Sequence, residues 1–188
     1  IFHLMTGEPV PRLNPLTGAE MPWQWRREYG CNYPIASEFL LTFRSGAAGF
    51  CDFSGSGGTG NLGGFRSSCT SNLVAADGLL NAPDYTRTCS CSYQNQTSLA
   101  MIHDPAVEMW TYNDFQMGEG PVRQVGINFG APGDRLADNG TLWLDYPSVG
   151  GPSPEVGVRS VPDAPKWFRH HSSRYTSEAL RWVAASGA

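Results

Sequence analysis

The chain has 188 residues, of which 40% are hydrophobic and only 16% are charged. This length predicts one sizeable domain or two small ones, and the charged fraction is low for a cytosolic protein. The formal charge of −4 and the pI near 5.5 provide no basic surface for binding nucleic acid. No apolar run approaches the ~20 residues of a transmembrane helix, so we expect no membrane span.

Both ends of the sequence predict a piece of something longer. The first residues, IFHLMTGEP, lack the charged and apolar regions of a secretory signal, and IFHL is typical of a strand already under way. The last residues, LRWVAASGA, also finish on an apolar segment. We therefore expect the chain to be an excised or processed part of a larger protein.

Short strands and turns dominate the first half, because the chain's 22 Gly and 14 Pro leave little room for long helices. Residues 46–49 are predicted to turn one hairpin, and Asp77-Gly78, a strong hairpin signal, turns a second hairpin that is equivalent to the first. The predicted strands of this half are 39–43, 49–53, 73–76, 79–82 and 98–102.

The second half begins with a connector, in which acidic and aromatic residues mix with Gly and Pro. Asp138-Asn139-Gly140 predicts a hairpin turn, and the five prolines of 147–165 predict a loop. The only moderate helix signal is SSRYTSEALRWV. The predicted strands are 122–129, 141–146, 167–171 and 180–184. The sequence as a whole therefore predicts an all-β fold.

A repeat organises the region between Cys31 and Cys91. CNYPIASEFLL, which starts at Cys31, is echoed by CTSNLVAADGLL, which starts at Cys69. Both segments run from a cysteine through an aliphatic residue, an alanine and an acidic residue to a double leucine. The two cysteines lie 38 positions apart, close to the ~40-residue period of a propeller blade.

These segments resemble the closing blades of a PQQ-like β-propeller, as found in large secreted proteins of planctomycete bacteria. The resemblance covers residues 1–104 and is carried by TGEPVPRLNPLTG, YGCNYPIASEFLLTFRSGAAGFCDF and GGFRSSCTSNLVAADGLLNAPDYTRTCSCSYQNQTSLAMI. In that family a cysteine opens each of two units, an F-R-[ST]-G segment follows, and a C-x-C lies near the end. The corresponding residues here are Cys31, Cys69, 43–46, and Cys89 with Cys91.

The resemblance implies partial propeller blades over 1–104, a connector over 105–121 and a β-sandwich-like segment over 122–188. VGINFGAPGDRLADNGTLWLDYP resembles the opening of a malectin-like or lectin-like module. The implied location is extracytoplasmic: periplasmic, cell-surface or secreted, in the bacterial cell envelope. The implied partners are the remaining propeller segments or other protein chains.

Three functions follow as alternatives. The first is a non-catalytic structural or interaction role, favoured because the sequence lacks G-x-S-x-G and H-E-x-x-H motifs. The second is a fragment of a quinoprotein-type dehydrogenase, whose intact parent would hold PQQ or calcium. No cofactor residue transfers to this chain, since such a site draws on several blades. The third is a carbohydrate-binding module in which Trp143 and Tyr146 stack on a glycan, although Trp143 equally fits packing inward.

The cysteines leave two interpretations open. Cys89 and Cys91, two positions apart on a strand, would point to the same face and pair with Cys31 and Cys69 in two disulfides. Each disulfide would stabilise the fold by roughly 2–4 kcal/mol. The alternative is a four-thiolate zinc or copper(I) site, although the usual C-x-x-C spacing is missing. We expect Cys51, in a hydrophobic strand, to be a buried thiol outside both arrangements.

Charged residues supply two further candidate sites. Arg44 and Arg66, near strand ends, would bind an anion in the propeller channel, satisfy backbone carbonyls or pair with an acid such as Asp52. Around the turn of the second half, carboxylate oxygens are candidate calcium ligands, while the lack of a D-x-D-x-D-G loop favours an ordinary turn. The residues of this second candidate are Asp134, Asp138 and Asp145, with Asn139 beside them.

Overall fold

The computed structural model describes residues 1–23, 25–54, 58–83, 90–93, 97–113, 120–149, 153–154, 156–176 and 179–188. Strands account for 34% of the structure and helices for 4%, which confirms the all-β class. The chain forms two compact units. The split unit contains Ile1–Gln24 and Glu108–Ala188, and the central unit contains Trp25–Val107. The first 24 residues therefore belong with the second half of the chain, and not with the segment 1–104 in which the sequence placed them.

The described elements are short and follow one another in this order along the chain: β1 (Pro11–Leu13), β2 (Glu20–Pro22), β3 (Ile35–Ala36), β4 (Leu40–Ser45), β5 (Ala47–Asp52), β6 (Thr59–Gly63), β7 (Val74–Ala76), β8 (Leu79–Ala82), β9 (Leu99–Ile102), β10 (Thr111–Tyr112), β11 (Gly126–Phe129), β12 (Arg135–Leu136), β13 (Leu142–Tyr146), β14 (Phe168–Arg169), a 3₁₀ turn (Ser172–Arg174), α1 (Arg181–Ala184) and β15 (Ser186–Gly187). No helix among the described residues has the length and apolar character needed to cross a membrane.

Two antiparallel arrangements build the central unit, one in the order β6-β5-β4-β3 and one in the order β7-β8-β9. Both predicted hairpins are confirmed. Gly46 turns the β4–β5 hairpin with a φ of +69°, and Asp77 and Gly78 turn the β7–β8 hairpin with φ values of +50° and +76°. Consecutive left-handed residues are what a two-residue hairpin turn requires, which explains the Asp-Gly pair.

The repeat corresponds to a different pair of hairpins from the one that the sequence suggested. After Cys31 the chain forms the β3–β4 hairpin, and after Cys69 it forms the β7–β8 hairpin. The β4–β5 hairpin is therefore not the counterpart of β7–β8. The double leucines of the two segments, at 40–41 and 79–80, begin β4 and β8.

The core of the central unit lies between its two sheets. Three buried residues form this core: Ala48 of β5, Ala82 of β8, and Leu73 just before β7. Partly buried apolar side chains complete this cluster: Phe65, Leu80, Leu99 and Met101. Because side chains alternate along a strand, Leu79 and Ile102 point away from this core.

In the split unit, β13 lies between β11 and β12, parallel to β11 and antiparallel to β12. The antiparallel pair turns through 138–140, as predicted, whereas the parallel pair was not expected from the sequence. Leu142 and Leu144 alternate inward from β13 and pack with Leu16 to form the core. The chain turns between β1 and β2 through 14–18, where the Asn14 side chain accepts from the Leu16 amide at 2.9 Å.

Four predicted strands differ from the structure, and the one expected over 167–171 is reduced to β14. The segment 180–184, predicted as a strand, contains the short helix α1 (Arg181–Ala184) instead, in keeping with the helix signal of SSRYTSEALRWV. The strand expected over 122–129 begins only at Gly126. The N-terminal strand is reduced to an isolated bridge between Phe2 and Pro9. In each case the apolar residues concerned are partly or largely exposed, with Leu4 96% exposed, so little burial favours an extended pairing.

Candidate functional site

The residues of greatest interest in the central unit form one group, which we call the cysteine–arginine cluster: Cys31, Cys69, Cys91, Arg44 and Arg66. Arg44 Nη1 lies 3.7 Å from Cys31 Sγ, and Arg66 Nη1 lies 3.6 Å from Cys69 Sγ. Both guanidinium groups also donate to the main-chain oxygen of Ser92. The fold thus brings together three of the predicted disulfide cysteines and the two arginines, which the sequence had singled out as separate candidate sets; Cys89 lies outside the described residues.

The two arginines of the cluster are buried, each with only 2% of its surface exposed. Arg44 Nε donates to the Gly46 oxygen at 2.8 Å, and Arg66 Nη1 donates to the Ser67 oxygen at 3.5 Å. Carbonyl groups thus account for much of the hydrogen bonding of these guanidinium groups. Such charge-assisted bonds fix the loops that carry the acceptors.

Tyr29 brings two of the cysteines close to each other. Its hydroxyl oxygen lies 3.4 Å from Cys31 Sγ and 3.8 Å from Cys91 Sγ, while its ring lies 4.9 Å from the guanidinium carbon of Arg44. Hydrogen bonding to Cys31 and Cys91, together with charge repulsion from both, raises the pKa of Tyr29 from 10.0 to about 12. The phenol is therefore a neutral partner of the sulfurs at physiological pH.

Two asparagines that the sequence analysis missed join the repeated segments. Asn32 and Asn72 are each 4% exposed, and Asn32 Nδ2 donates to Asn72 Oδ1 at 3.3 Å. Asn32 Oδ1 accepts from the Arg44 amide at 2.9 Å, and Asn72 Nδ2 donates to the Thr42 oxygen at 3.0 Å. An asparagine shortly after the first cysteine of each repeat, in CN and in CTSN, was the signal available in the sequence.

Cys51 lies apart from the cluster, in β5, and is buried as expected. Within the described ranges, no three or more His, Cys, Asp or Glu side chains are grouped so that they could hold a metal ion. The four-thiolate alternative also needs Cys89, which these ranges do not include.

The acidic candidates of the split unit occupy two environments. Asp134 is fully buried and accepts from Asn113 Nδ2 at 3.0 Å and from the Asp145 amide at 3.2 Å. Burial raises the pKa of Asp134 from 3.8 to about 6, and burial also raises the pKa of Asp145. Asp138 is exposed in the neighbouring turn. Asp134 and Asp145 thus act as acceptors that organise the backbone around β12 and β13.

Trp143 and Tyr146, the predicted glycan-stacking pair, contact different neighbours. Trp143 packs edge-on against Trp182, with ring centroids 5.7 Å apart. Its indole ring also covers Gly126, where an added Cβ would come within 2.1 Å of it. Tyr146 instead packs edge-on against Phe129 and Trp167, and its hydroxyl donates to the Val158 oxygen at 3.2 Å. The two side chains do not form a common stacking surface.

A cleft of about 370 Å³ opens beside β11 in the split unit, and we call it the aromatic cleft. The rings of Phe129 and Trp167 line it and lie parallel, with an interplanar angle of 3° and centroids 6.2 Å apart. Residues 158–161 form one wall and Ser186 lies on another side. The cleft has no signal in the sequence, because its residues come from three distant segments.

No protein family, curated protein or solved structure matches this chain. The described geometry offers two different capacities: a polar cluster with buried arginines that joins segments of the central unit, and an accessible aromatic cleft in the split unit. The first suits a structural role, since its arginines are enclosed by the protein itself.

Proposed function

We propose that the chain is a non-catalytic structural and interaction part of an extracytoplasmic PQQ-like β-propeller protein. The observation that carries this proposal is the outer face of the β7-β8-β9 sheet. Leu79 and Ile102 stand opposite each other there and are 38% and 76% exposed. Ala76 lies beside Leu79 on this face, and the neighbouring row consists of the exposed Val74 and Ala100 with the partly buried Asn81 between them.

A β-sheet that is apolar on both faces requires a cover on each face. The inner face of the β7-β8-β9 sheet is covered by Ala48 and Phe65 of the same unit. The outer face carries an adjoining row of exposed aliphatic side chains, which is typical of an interaction surface. Adjacent blades of a propeller cover one another's sheets in this way, so the remaining propeller segments are the proposed partner.

The cysteine–arginine cluster supports a structural role by joining segments that are distant in sequence. Arg44 and Arg66 reach the same carbonyl of Ser92, and Asn32 contacts Asn72 across the repeat. In an oxidising extracytoplasmic compartment, disulfides would reinforce these connections. The proposed set is the predicted one: Cys31, Cys69, Cys89 and Cys91.

Sedimentation velocity over a range of concentrations tests the proposal. The isolated chain should associate through its uncovered sheet, and Leu79→Lys should weaken this association by about tenfold or more, equivalent to 1.4 kcal/mol. Leu62→Lys is the matched control, because Leu62 is also 38% exposed and lies in β6. A folded protein that stays monomeric at every concentration, or equal effects of the two substitutions, would contradict the proposal.

A further inference from the structure

We propose that the aromatic cleft binds an acidic saccharide, a pyranose ring that carries a carboxylate group. This inference goes beyond the structural role proposed above and does not depend on it, since it concerns the split unit alone. It rests on three features of the cleft: two parallel, stacked aromatic rings, hydroxyl groups whose protons are already donated, and a cation without a described partner.

The aromatic surface comes from Phe129 and Trp167. Their rings are parallel, and Phe129 is 41% exposed. Tyr146 stands edge-on to both rings, with centroids 5.8 and 5.9 Å away, and so restricts their movement. Aromatic faces carry negative electrostatic potential, and the C–H face of a pyranose ring presents the complementary positive hydrogens. The cleft volume of about 370 Å³ lies within the range of small-molecule sites.

Tyr146 also fixes the wall of the cleft. Its hydroxyl donates to the oxygen of Val158 at 3.2 Å, at the start of the wall formed by 158–161. One side chain thus holds both the aromatic surface and the wall beside it. We assign Tyr146 as a positioning residue, which is a different role from the stacking role predicted from the sequence.

The hydroxyl groups of the cleft favour a ligand that donates hydrogen bonds. Ser186 Oγ donates to Asn128 Oδ1 at 3.0 Å, and Ser160 Oγ donates to the Asp163 oxygen at 3.3 Å. Each serine hydroxyl therefore already donates its proton within the protein, and the lone pairs of its oxygen remain available to accept a hydrogen bond from a ligand. Asn128 is 1% exposed, so its side chain is enclosed. Sugar hydroxyls are suitable donors to these oxygens, whereas an aromatic acid such as benzoate has none.

Arg159 provides the charge selectivity. It lines the cleft and is exposed, and no hydrogen bond or ion pair joins it to the described part of the chain. A guanidinium group keeps its charge at all physiological pH values and binds a carboxylate through two parallel hydrogen bonds. A neutral sugar has no carboxylate to pair with the Arg159 guanidinium. The combination of aromatic, hydroxyl and cationic groups therefore favours an acidic sugar.

Isothermal titration of the full chain with D-glucuronate, D-glucose and benzoate tests the inference. We expect glucuronate to bind about tenfold more tightly than either of the other two, because each lacks one of the complementary groups. Arg159→Gln should lower the affinity for glucuronate to that for glucose. Lys166→Gln removes a nearby exposed cation that does not line the cleft, and should leave the affinity unchanged.

Several outcomes would overturn the inference. They are the absence of saturable glucuronate binding, benzoate binding as tight as that of glucuronate, and an equal effect of Arg159→Gln and Lys166→Gln. Because Arg159 is exposed, its replacement does not endanger folding. Trp167→Ala should abolish the binding of both sugars, and its thermal unfolding midpoint verifies that the split unit remains folded. Retained glucuronate binding in a folded Trp167→Ala variant would also overturn the inference.

Discussion

Arg44 and Arg66 donate to the same acceptor, the main-chain oxygen of Ser92, at 3.5 and 3.1 Å. The two arginines come from different parts of the central unit, one at the end of β4 and the other beyond β6. Their convergence holds Ser92 next to the end of β4 and to the segment just before Cys69. The contact between distant segments therefore depends on buried charge as well as on apolar packing.

Replacing Arg66 with methionine should destabilise the protein by about 1–3 kcal/mol, because the carbonyl groups of Ser67 and Ser92 lose a donor. Methionine is similarly long, so the loss of hydrogen bonds is the dominant change. Urea unfolding measures the effect. Arg26→Gln is the control, since Arg26 forms an exposed ion pair with Glu28 at 3.6 Å and its loss should cost less than about 1 kcal/mol. An Arg66→Met protein as stable as the wild type would show that these bonds contribute nothing.

Tyr29 should titrate near pH 12 in the reduced protein, as measured by ultraviolet absorbance of the phenolate. Its folded pKa is raised above the ordinary value of 10.0, so the neutral phenol is favoured in the folded state. The resulting contribution to stability is present below pH 10 and is lost as pH rises through about 12. Replacing both Cys31 and Cys91 with alanine should return the titration toward pH 10. An unchanged titration would mean that the sulfurs do not cause the shift.

Intact mass measurement tests the predicted pairing of Cys31, Cys69, Cys89 and Cys91. Two disulfides lower the mass by four hydrogens relative to the reduced protein. Cys51 should react with an alkylating agent only after unfolding, because it is buried in β5. The control is the same measurement after reduction, when all five cysteines should be labelled in denaturant. An oxidised mass that equals the reduced mass would contradict the pairing.

Local sequence signals predicted the hairpins well. Asp77-Gly78 marks a turn in which both residues need positive φ, and the structure has them there. These features depend on neighbouring residues only, which is why the sequence suffices for them.

Contacts between distant segments were less predictable. The sequence marked Arg44 and Arg66 as roughly equivalent, but their shared acceptor at Ser92 lies 26 positions beyond the nearer one. The parallel pairing of β11 with β13 could not be predicted from a turn motif, because parallel strands are not joined by a tight turn. The aromatic cleft likewise combines Phe129 with Trp167, which no short motif connects.

Asp134 should make the stability of the protein fall as pH rises from about 4 to 7. Its folded pKa, about 6, lies above the ordinary value of 3.8, because burial disfavours the carboxylate. Its contribution is therefore fully present below pH 3.8 and is lost as pH rises through 6, a change of about 3 kcal/mol. Asp134→Asn should remove this pH-dependent part, as measured by urea unfolding at pH 4 and pH 7. Asp138→Asn, a change at an exposed position, should leave the pH dependence of the stability unchanged. Identical pH dependence in the wild type and in Asp134→Asn would contradict the prediction.

Gly126→Ala should destabilise the split unit by about 1–3 kcal/mol, because the new methyl group would collide with the indole ring of Trp143. The ring lies between Gly126 and Trp182, so it cannot move away without disturbing that packing. Gly157→Ala is the control, since no atom lies within 4 Å of its added methyl group and its φ is not in the left-handed region. Combining Gly126→Ala with Trp143→Leu should cost less than the sum of the two single changes, because the smaller side chain removes the collision. Strictly additive free energies of unfolding would show that the glycine does not serve to accommodate the ring.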